Sequence, residues 1–135
     1  YGPRQDASSP YSGVIAIFAE RVASNSAMEI YGDGKQTRDF IYVGDVVAHF
    51  LAAMQDLHTD ARAFNVCTGR GITILELAES IGGLAGQRPD IRHLAARTGD
   101  IQASVGDPSA AMSAFGLIDR VAVRDGLRKT LNGSC

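Results

Sequence analysis

The amino-acid sequence predicts an α/β fold, because short β-branched and aromatic runs alternate with amphipathic helical segments. Two features of the composition agree with this prediction. Hydrophobic residues make up 45% of the chain, which is enough for a core, and its 15 glycines fall mainly between the periodic segments. With 135 residues, the chain is long enough for one domain and too short for a two-domain enzyme. We therefore predict one domain over residues 1–135.

In the amino-terminal half, the spacing of apolar residues predicts two helices and two strands. The first helix is expected to begin after the N-cap Ser12, and the second after the N-cap Asp45. Residues 29–31 are expected to form a strand that runs into a glycine turn, and residues 39–43 a second strand. The predicted apolar faces are Val14, Ile15, Ile17, Phe18 and Val22 in the first helix, and Val46, Val47, Phe50, Leu51 and Met54 in the second.

The carboxyl-terminal half continues the alternation of strands and helices. Residues 63–67 are largely apolar, which is typical of a strand buried in a parallel sheet. Thr73 and Glu76 have the spacing of a capping box at the start of a helix. Further along, the pattern predicts a strand over residues 91–95, a short helix from the cap Asp107 to Gly116, and a final amphipathic helix with Val123, Leu127 and Leu131 on one face.

Charge and cysteine content exclude several classes of protein. Thirteen Lys and Arg residues against 15 Asp and Glu leave a formal charge of −2, without a basic stripe that would indicate nucleic acid as a partner. No apolar run is long enough for a bilayer, and the first residues do not resemble a signal peptide. Cys67 and Cys135 are too few for a disulfide scaffold or a metal site. We predict a reduced, cytoplasmic protein that binds neither nucleic acid nor membranes.

Some motifs of familiar appearance are not interpreted as sites. Tyr31 and Lys35 have the spacing of the catalytic pair of short-chain dehydrogenases, but the two glycines between them oppose the helical turn that the pair needs. Gly69 and Gly71 lack the rest of a dinucleotide-binding fingerprint and are interpreted as a turn before a helix. The three histidines have no companions at metal-ligand spacing, and His49 is expected at the surface or its boundary.

Five blocks of sequence together form a more specific pattern. They are residues 1–5 (Tyr-Gly-Pro-Arg-Gln), 30–34 (Ile-Tyr-Gly-Asp-Gly), 37–43 (Thr-Arg-Asp-Phe-Ile-Tyr-Val) with 45–47, 64–69 (Phe-Asn-Val-Cys-Thr-Gly), and 97–100 (Arg-Thr-Gly-Asp) with 105–107. In these blocks the chain resembles the extended short-chain dehydrogenase/reductase family, and within it the NAD-dependent nucleotide-sugar epimerases that act on UDP-sugars. It departs from their usual pattern at Gly44, where an acidic residue is frequent, and at Cys67, where glycine is frequent.

The resemblance covers only the carboxyl-terminal part of such an enzyme, because the family's glycine fingerprint and catalytic residues lie upstream of the first block. It implies a substrate-binding portion without the Rossmann half. In the full enzyme, NAD would oxidise the sugar at C4 and return the hydride to the other face. We expect no NAD and no catalytic residue on this chain, and a UDP-sugar as its ligand. Sister dehydratases, decarboxylases and reductases share these motifs, so the sugar and the reaction stay open.

The resemblance also assigns candidate binding residues, each of which has a structural alternative. Arg38 and Arg97 match the family's phosphate-binding arginines, although a single arginine is more often a solvated surface residue. Asp100 would accept hydrogen bonds from the ribose, or it is a carboxylate of a turn. Tyr31 would lie on the uracil ring, with Glu29 alongside, or it is a half-buried strand aromatic. Val14 lies where the family's helix approaches the nucleotide, although a core role is the stronger expectation.

The rival to the enzyme interpretation is that the chain is a free-standing nucleotide-binding or protein-interaction module that never had a catalytic half. If residues 63–67 form a strand without neighbours, the exposed edge should lead the chain to self-associate.

Overall fold

The structure is a computed structural model that describes residues 1–9, 12–56, 61–116 and 121–133. These residues form five helices and five strands. In chain order the elements are α1 (Val14–Ala23), β1 (Met28–Tyr31), β2 (Thr37–Asp39), α2 (Val43–Gln55), β3 (Gly71–Thr73), α3 (Ile74–Leu84), β4 (Ile91–Leu94), β5 (Ala103–Ser104), α4 (Ser109–Phe115) and α5 (Val123–Asn132). The predicted α/β fold class is confirmed.

The strands form two small sheets. β1 and β4 pair in parallel, with Tyr31 opposite Leu94 at their carboxyl ends. In the second sheet β2 is central, antiparallel to β3 and parallel to β5, with Arg38 opposite Ser104. Residues 95–102 therefore run from the carboxyl end of the first sheet to the start of β5 in the second sheet. This connection carries two of the predicted site residues.

The core lies between α1, α3, α5 and the strand β1. Its most completely buried large side chains are Phe18, Met28, Ile30, Leu77, Ile81 and Leu127. On α1 and α3 the buried residues recur at the three- and four-residue spacings of one helical face. Burial of these side chains is the main force that holds the first sheet against the helices, since a two-stranded sheet is only marginally stable alone.

Several local signals gave correct predictions. Thr73 and Glu76 form the capping box at the start of α3, where each side chain accepts a hydrogen bond from the other residue's backbone N–H. Gly116, with a φ of 61°, ends α4 in the left-handed conformation. Residues 32–34 form the predicted glycine turn, with positive φ at Gly32 and Gly34. Tyr31 and Lys35 therefore lie on either side of a turn rather than on one helix.

The predicted strand over residues 39–43 is wrong. β2 ends at Asp39, and Val43 already begins α2. Phe40 and Tyr42 make edge-to-face contacts with Tyr1 instead of entering a strand ladder, and Val43 N–H donates to the Tyr1 carbonyl at 2.8 Å. Contacts with a residue far away in the sequence therefore override the local strand propensity.

Both predicted N-caps in this half are also wrong. The N-cap of α1 is Gly13, while the Ser12 hydroxyl donates to the Asp6 carbonyl. The N-cap of α2 is Tyr42, and Asp45 lies inside the first turn, where it is 4% exposed and accepts a hydrogen bond from Val121 N–H at 3.1 Å. A carboxylate near a helix N-terminus is also favoured there by the helix dipole.

Four of the five residues in the predicted apolar stripe of α2 are exposed, contrary to the sequence pattern, and the fifth, Val46, is half-buried. Asp45 and His49 are the buried residues of this helix, and His49 Nδ1 lies 2.8 Å from the Asp45 carbonyl oxygen. The prediction that His49 lies at the surface or its boundary is therefore wrong. Five side chains form an exposed surface, called here the apolar α2 face: Val43, Val47, Phe50, Leu51 and Met54, which are between 45% and 81% exposed.

Residues 63–67 do not form the predicted strand, and two short strands were missed. Phe64 packs on Phe115 with ring centroids 4.8 Å apart, and Asn65 donates to the Asp107 carbonyl at 3.4 Å, so side-chain contacts hold this segment. The missed strands, β3 and β5, have three and two residues and exist through their pairing with β2. Among the described residues, no helix is both long enough and apolar enough to cross a membrane.

Candidate functional site

A cavity of about 660 Å³ lies beside α1, β1 and β2, and residues from all three elements line it. All six candidate residues from the sequence line it: Val14, Glu29, Tyr31, Arg38, Arg97 and Asp100. The topology explains how they meet. Parallel pairing of β1 with β4 puts the chain after Leu94 next to Tyr31, and parallel pairing of β2 with β5 brings the end of the same connection next to Arg38. The two arginines, far apart in sequence, therefore share one cavity.

Arg38 is held by three acceptors. Its Nη1 donates to the carbonyls of Thr37 at 2.8 Å and Ile101 at 2.6 Å, and its Nη2 donates to Asp100 Oδ1 at 2.8 Å. The side chains of the Arg38–Asp100 ion pair are 27% and 28% exposed, so water screens it less than a fully solvated pair. These three hydrogen bonds all lie within the chain and orient the guanidinium.

Arg97 lies over the ring of Tyr31, with its Cζ 3.6 Å from the ring centroid. This distance is that of a cation–π contact, in which the positive guanidinium covers the negative face of the aromatic ring. On the main chain, Tyr31 is held by Gln36, whose buried Nε2 donates to the Tyr31 carbonyl at 2.9 Å. One face of the Tyr31 ring is therefore covered by the second arginine.

The other candidates have distinct environments. Asp100 is paired with Arg38, so its carboxylate already has a cationic partner. Glu29 is an exposed residue of β1, opposite Arg92 in the strand register. Val14 is the first residue of α1 and is half-buried, packed against the edge of the core as well as lining the cavity.

Sequence reasoning missed a third arginine in the lining, Arg21. Its position follows from helix geometry, because Val14, Ile17, Phe18 and Arg21 have the spacing of one face of α1 and all four line the cavity. That spacing is readable from the sequence and could have identified Arg21 once Val14 was singled out.

Asp39 also lines the cavity, but its carboxylate accepts hydrogen bonds from neighbouring loops. Its carboxylate accepts hydrogen bonds from Thr68 N–H at 3.0 Å, the Thr68 hydroxyl at 2.6 Å and Gly69 N–H at 2.9 Å. The same carboxylate accepts a weaker hydrogen bond from Gly106 N–H at 3.4 Å. Asp39 therefore connects the end of β2, next to Arg38, to the loop at Thr68 and Gly69 and to the segment at Gly106.

The lining carries donor groups that fit an anionic ligand. Two guanidinium groups, from Arg38 and Arg97, present forks of N–H donors that match phosphate oxygens, and Tyr31 adds an aromatic surface. Phe18, Phe40 and Ile74 line the apolar part. Within the described ranges, no group of His, Cys, Asp or Glu side chains is arranged to hold a metal ion.

Comparisons with known proteins identify relatives of the chain. A sequence profile of the NAD dependent epimerase/dehydratase family matches residues 1–67. A UDP-glucose 4-epimerase from Mycolicibacterium smegmatis is 37% identical over 131 residues, which are 97% of this chain and 41% of that protein. The chain therefore spans about two fifths of the length of this relative.

Two solved structures are similar to this chain in both sequence and fold. A UDP-glucose 4-epimerase from Thermotoga maritima, solved with UDP-glucose, is 36% identical with a TM-score of 0.91 and covers 98% of this chain. A Thermus thermophilus UDP-glucose 4-epimerase in complex with NAD is 36% identical with a TM-score of 0.87, again over 98% of this chain. The chain covers 42% and 43% of these two proteins, respectively.

Proposed function

Because the chain belongs to the NAD dependent epimerase/dehydratase family, we propose that it binds the nucleoside diphosphate part of a UDP-sugar in the cavity described above. The observation that carries the proposal is the convergence of Arg38 and Arg97 on one cavity. The Thermotoga maritima relative, which is bound to UDP-glucose, supports UDP-glucose as the first ligand to test.

In this proposal, the two arginines bind the diphosphate, whose charges must be compensated where water is excluded. We assign the uracil to the side of Tyr31 that Arg97 does not cover. Glu29 is assigned to the base and Val14 to the wall of the nucleotide site, in line with their places in the lining. Asp100 lines the same cavity.

The test is a calorimetric or NMR titration of the chain with UDP. We expect weak binding that salt reduces, and a loss of roughly tenfold or more in the variants Arg38→Ala and Arg97→Ala, since a hydrogen bond to a charged group contributes about 1.5–3 kcal/mol. AMP should bind no better than background. The matched control is Arg92→Ala, which removes an exposed arginine of β4 that pairs with Asp90 outside the cavity. If both cavity variants bind UDP like the parent, the proposed site is wrong.

We propose further that the chain is the substrate-binding portion of an enzyme that uses NAD to epimerise a UDP-sugar, with NAD bound outside these residues. Support comes from the share of the relatives that the chain spans and from the complex of the Thermus thermophilus relative with NAD. The chain alone should therefore not convert UDP-glucose to UDP-galactose when NAD is added, because Tyr31 and Lys35 are separated by a turn and supply no catalytic pair. Conversion above a buffer blank in a coupled assay would contradict this.

A second candidate function, protein interaction, is favoured by one observation. The apolar α2 face groups five exposed apolar side chains on one helix, and exposed apolar surfaces of this kind mark contact sites. We propose that the chain self-associates through this face rather than through residues 63–67.

For its location we propose the cytoplasm, where the free Cys67 thiol stays reduced.

A further inference from the structure

We propose that Asp100 is a positioning residue, which orients the guanidinium of Arg38 so that its remaining N–H donors are left for the diphosphate. This inference rests on the proposed function and deepens it. It differs from the role that the family resemblance gives to Asp100, which is to accept hydrogen bonds from the ribose. The two roles predict different responses to ligands with and without a ribose.

The donor groups of Arg38 support the proposal. A guanidinium has five N–H groups in one plane. Three of them are used within the chain, two on Nη1 by the carbonyls of Thr37 and Ile101 and one on Nη2 by Asp100. Nε–H and one Nη2–H remain without an acceptor among the described residues. Guanidinium N–H donors held in a fixed plane are groups that bind phosphate oxygens.

The turn that carries Asp100 links the two arginines. Asp100 N–H donates to the Arg97 carbonyl at 3.2 Å, while the Asp100 side chain binds Arg38. Gly99 has a φ of 83°, a conformation that favours glycine, so this turn is locally determined. Asp100 therefore joins the backbone next to one arginine to the guanidinium of the other.

The Arg38–Asp100 pair also differs from the exposed ion pairs of the chain. Arg92 and Asp90 pair with side chains 67% and 60% exposed, against 27% and 28% for Arg38 and Asp100. The two residues of the cavity pair are 62 positions apart in the sequence, so the pair exists only through the pairing of β2 with β5. An arginine held in this way has already lost its rotamer freedom, and a ligand does not have to order it.

The experiment compares the 135-residue chain with the variants Asp100→Ala and Asp100→Asn, and with Asp90→Ala as the matched control. Each protein is titrated with UDP, inorganic pyrophosphate and 2′,3′-dideoxyuridine diphosphate, which lacks the ribose hydroxyls. We expect Asp100→Ala to weaken all three ligands by a similar factor of about ten, which corresponds to the restored freedom of one long side chain. Asp100→Asn keeps an acceptor for Arg38 and should lose much less, and Asp90→Ala should bind like the parent.

Three results would overturn the inference. A loss confined to UDP would assign Asp100 to the ribose. Tighter binding by Asp100→Ala would mean that Asp100 mainly repels the phosphates. Equal binding by the parent and Asp100→Ala would mean that the pair has no role in binding. Thermal unfolding of each variant checks that the fold is intact, and if Asp100→Ala does not fold, the ligand series on Asp100→Asn decides between repulsion and positioning.

A second measurement separates this inference from the proposed function. Rotation of the Arg38 guanidinium, followed by NMR without ligand, should be slow in the parent and fast in Asp100→Ala. If the Arg38 guanidinium rotates fast in the parent and the parent still binds UDP, the positioning role of Asp100 is refuted and the proposed function is not. If the parent binds neither UDP nor pyrophosphate, the proposed function fails and the positioning role fails with it.

Discussion

Replacing two residues of the apolar α2 face should abolish self-association of the chain. Phe50 and Met54 lie one helical turn apart and are 67% and 81% exposed. The variant Phe50→Glu/Met54→Lys replaces them with charges that must lose their hydration if the face is buried against a second copy. The order of the two charges, glutamate four residues before lysine, supports the helix itself. The change is therefore directed at the surface and spares the fold.

The magnitude follows from the exposed fractions. Burial of a large apolar side chain contributes about 1.5–3 kcal/mol, so Phe50 and Met54 together contribute about 4–9 kcal/mol in a symmetric pair of chains, when scaled by their exposure. Val47 and Leu51, which are 50% and 55% exposed, add about 3–6 kcal/mol on the same basis. Association costs roughly 4–15 kcal/mol in lost freedom of motion. The parent is expected to associate weakly, and loss of the two most exposed side chains should leave too little to overcome this cost.

Sedimentation velocity across a wide range of concentrations measures the effect. We expect the parent to shift from monomer to larger species as its concentration rises, and the double variant to remain monomeric. The matched control is Ser80→Lys, which adds a charge at an exposed position of α3 without removing apolar surface. Self-association through the apolar α2 face is refuted if the parent sediments as a monomer throughout, or if the double variant associates as the parent does.

Two further predictions concern stability. Burial, followed by the charges of Asp45 and other neighbours, raises the pKa of the Tyr1 hydroxyl to about 12. Its contribution to stability should be complete below the ordinary tyrosine pKa of about 10 and be lost as the pH rises towards 12. Denaturant unfolding at several alkaline pH values should show this loss in the parent and a smaller one in Tyr1→Phe; equal pH dependence would contradict it. Thr73→Ala should lower the free energy of unfolding by about 1 kcal/mol through loss of the α3 cap. Hydrogen bonds from the Thr73 backbone and side chain lower the pKa of Glu76, so this stabilisation should weaken as the pH falls through the range in which carboxylates are protonated. The control for Thr73→Ala is Ser80→Ala, at an exposed position of α3, which should leave the unfolding free energy nearly unchanged. Thr68→Ala does not serve as this control, because the Thr68 hydroxyl donates a hydrogen bond to Asp39.

Elements with their own local signals could be predicted from the sequence, and those created by distant contacts could not. The capping box at Thr73 and the glycine turn after Tyr31 depend on residues within a few positions of each other. The strand β5 has two residues and depends on pairing with β2, more than 60 positions earlier. Residues 40–42 have strand propensity, but the ring of Tyr1 binds their aromatic side chains. No local pattern in the sequence indicates that contact, because Tyr1 is distant in sequence from both of its aromatic partners.

In the candidate site, the residues could be predicted from the sequence, and their contacts could not. The types and order of Arg38, Arg97 and Asp100 are in the sequence, and their resemblance to a family pattern was enough to group them. Their partners were not predictable, because the Arg38–Asp100 pair and the contact of Arg97 with Tyr31 depend on the register of two different sheets. The distinction matters for function, since the paired state of each arginine is the state that a ligand meets.

Helix α2 shows why an apolar pattern alone does not say which face is inside. The stripe through Phe50 and Met54 is the stronger amphipathic signal, yet Asp45 and His49 occupy the buried side. Their burial is possible because each has a hydrogen-bond partner, Val121 N–H for the Asp45 carboxylate and the Asp45 carbonyl for the His49 ring. The exposed apolar face of α2 is the surface through which we propose that the chain self-associates. The sedimentation experiment tests whether another copy of this chain covers it.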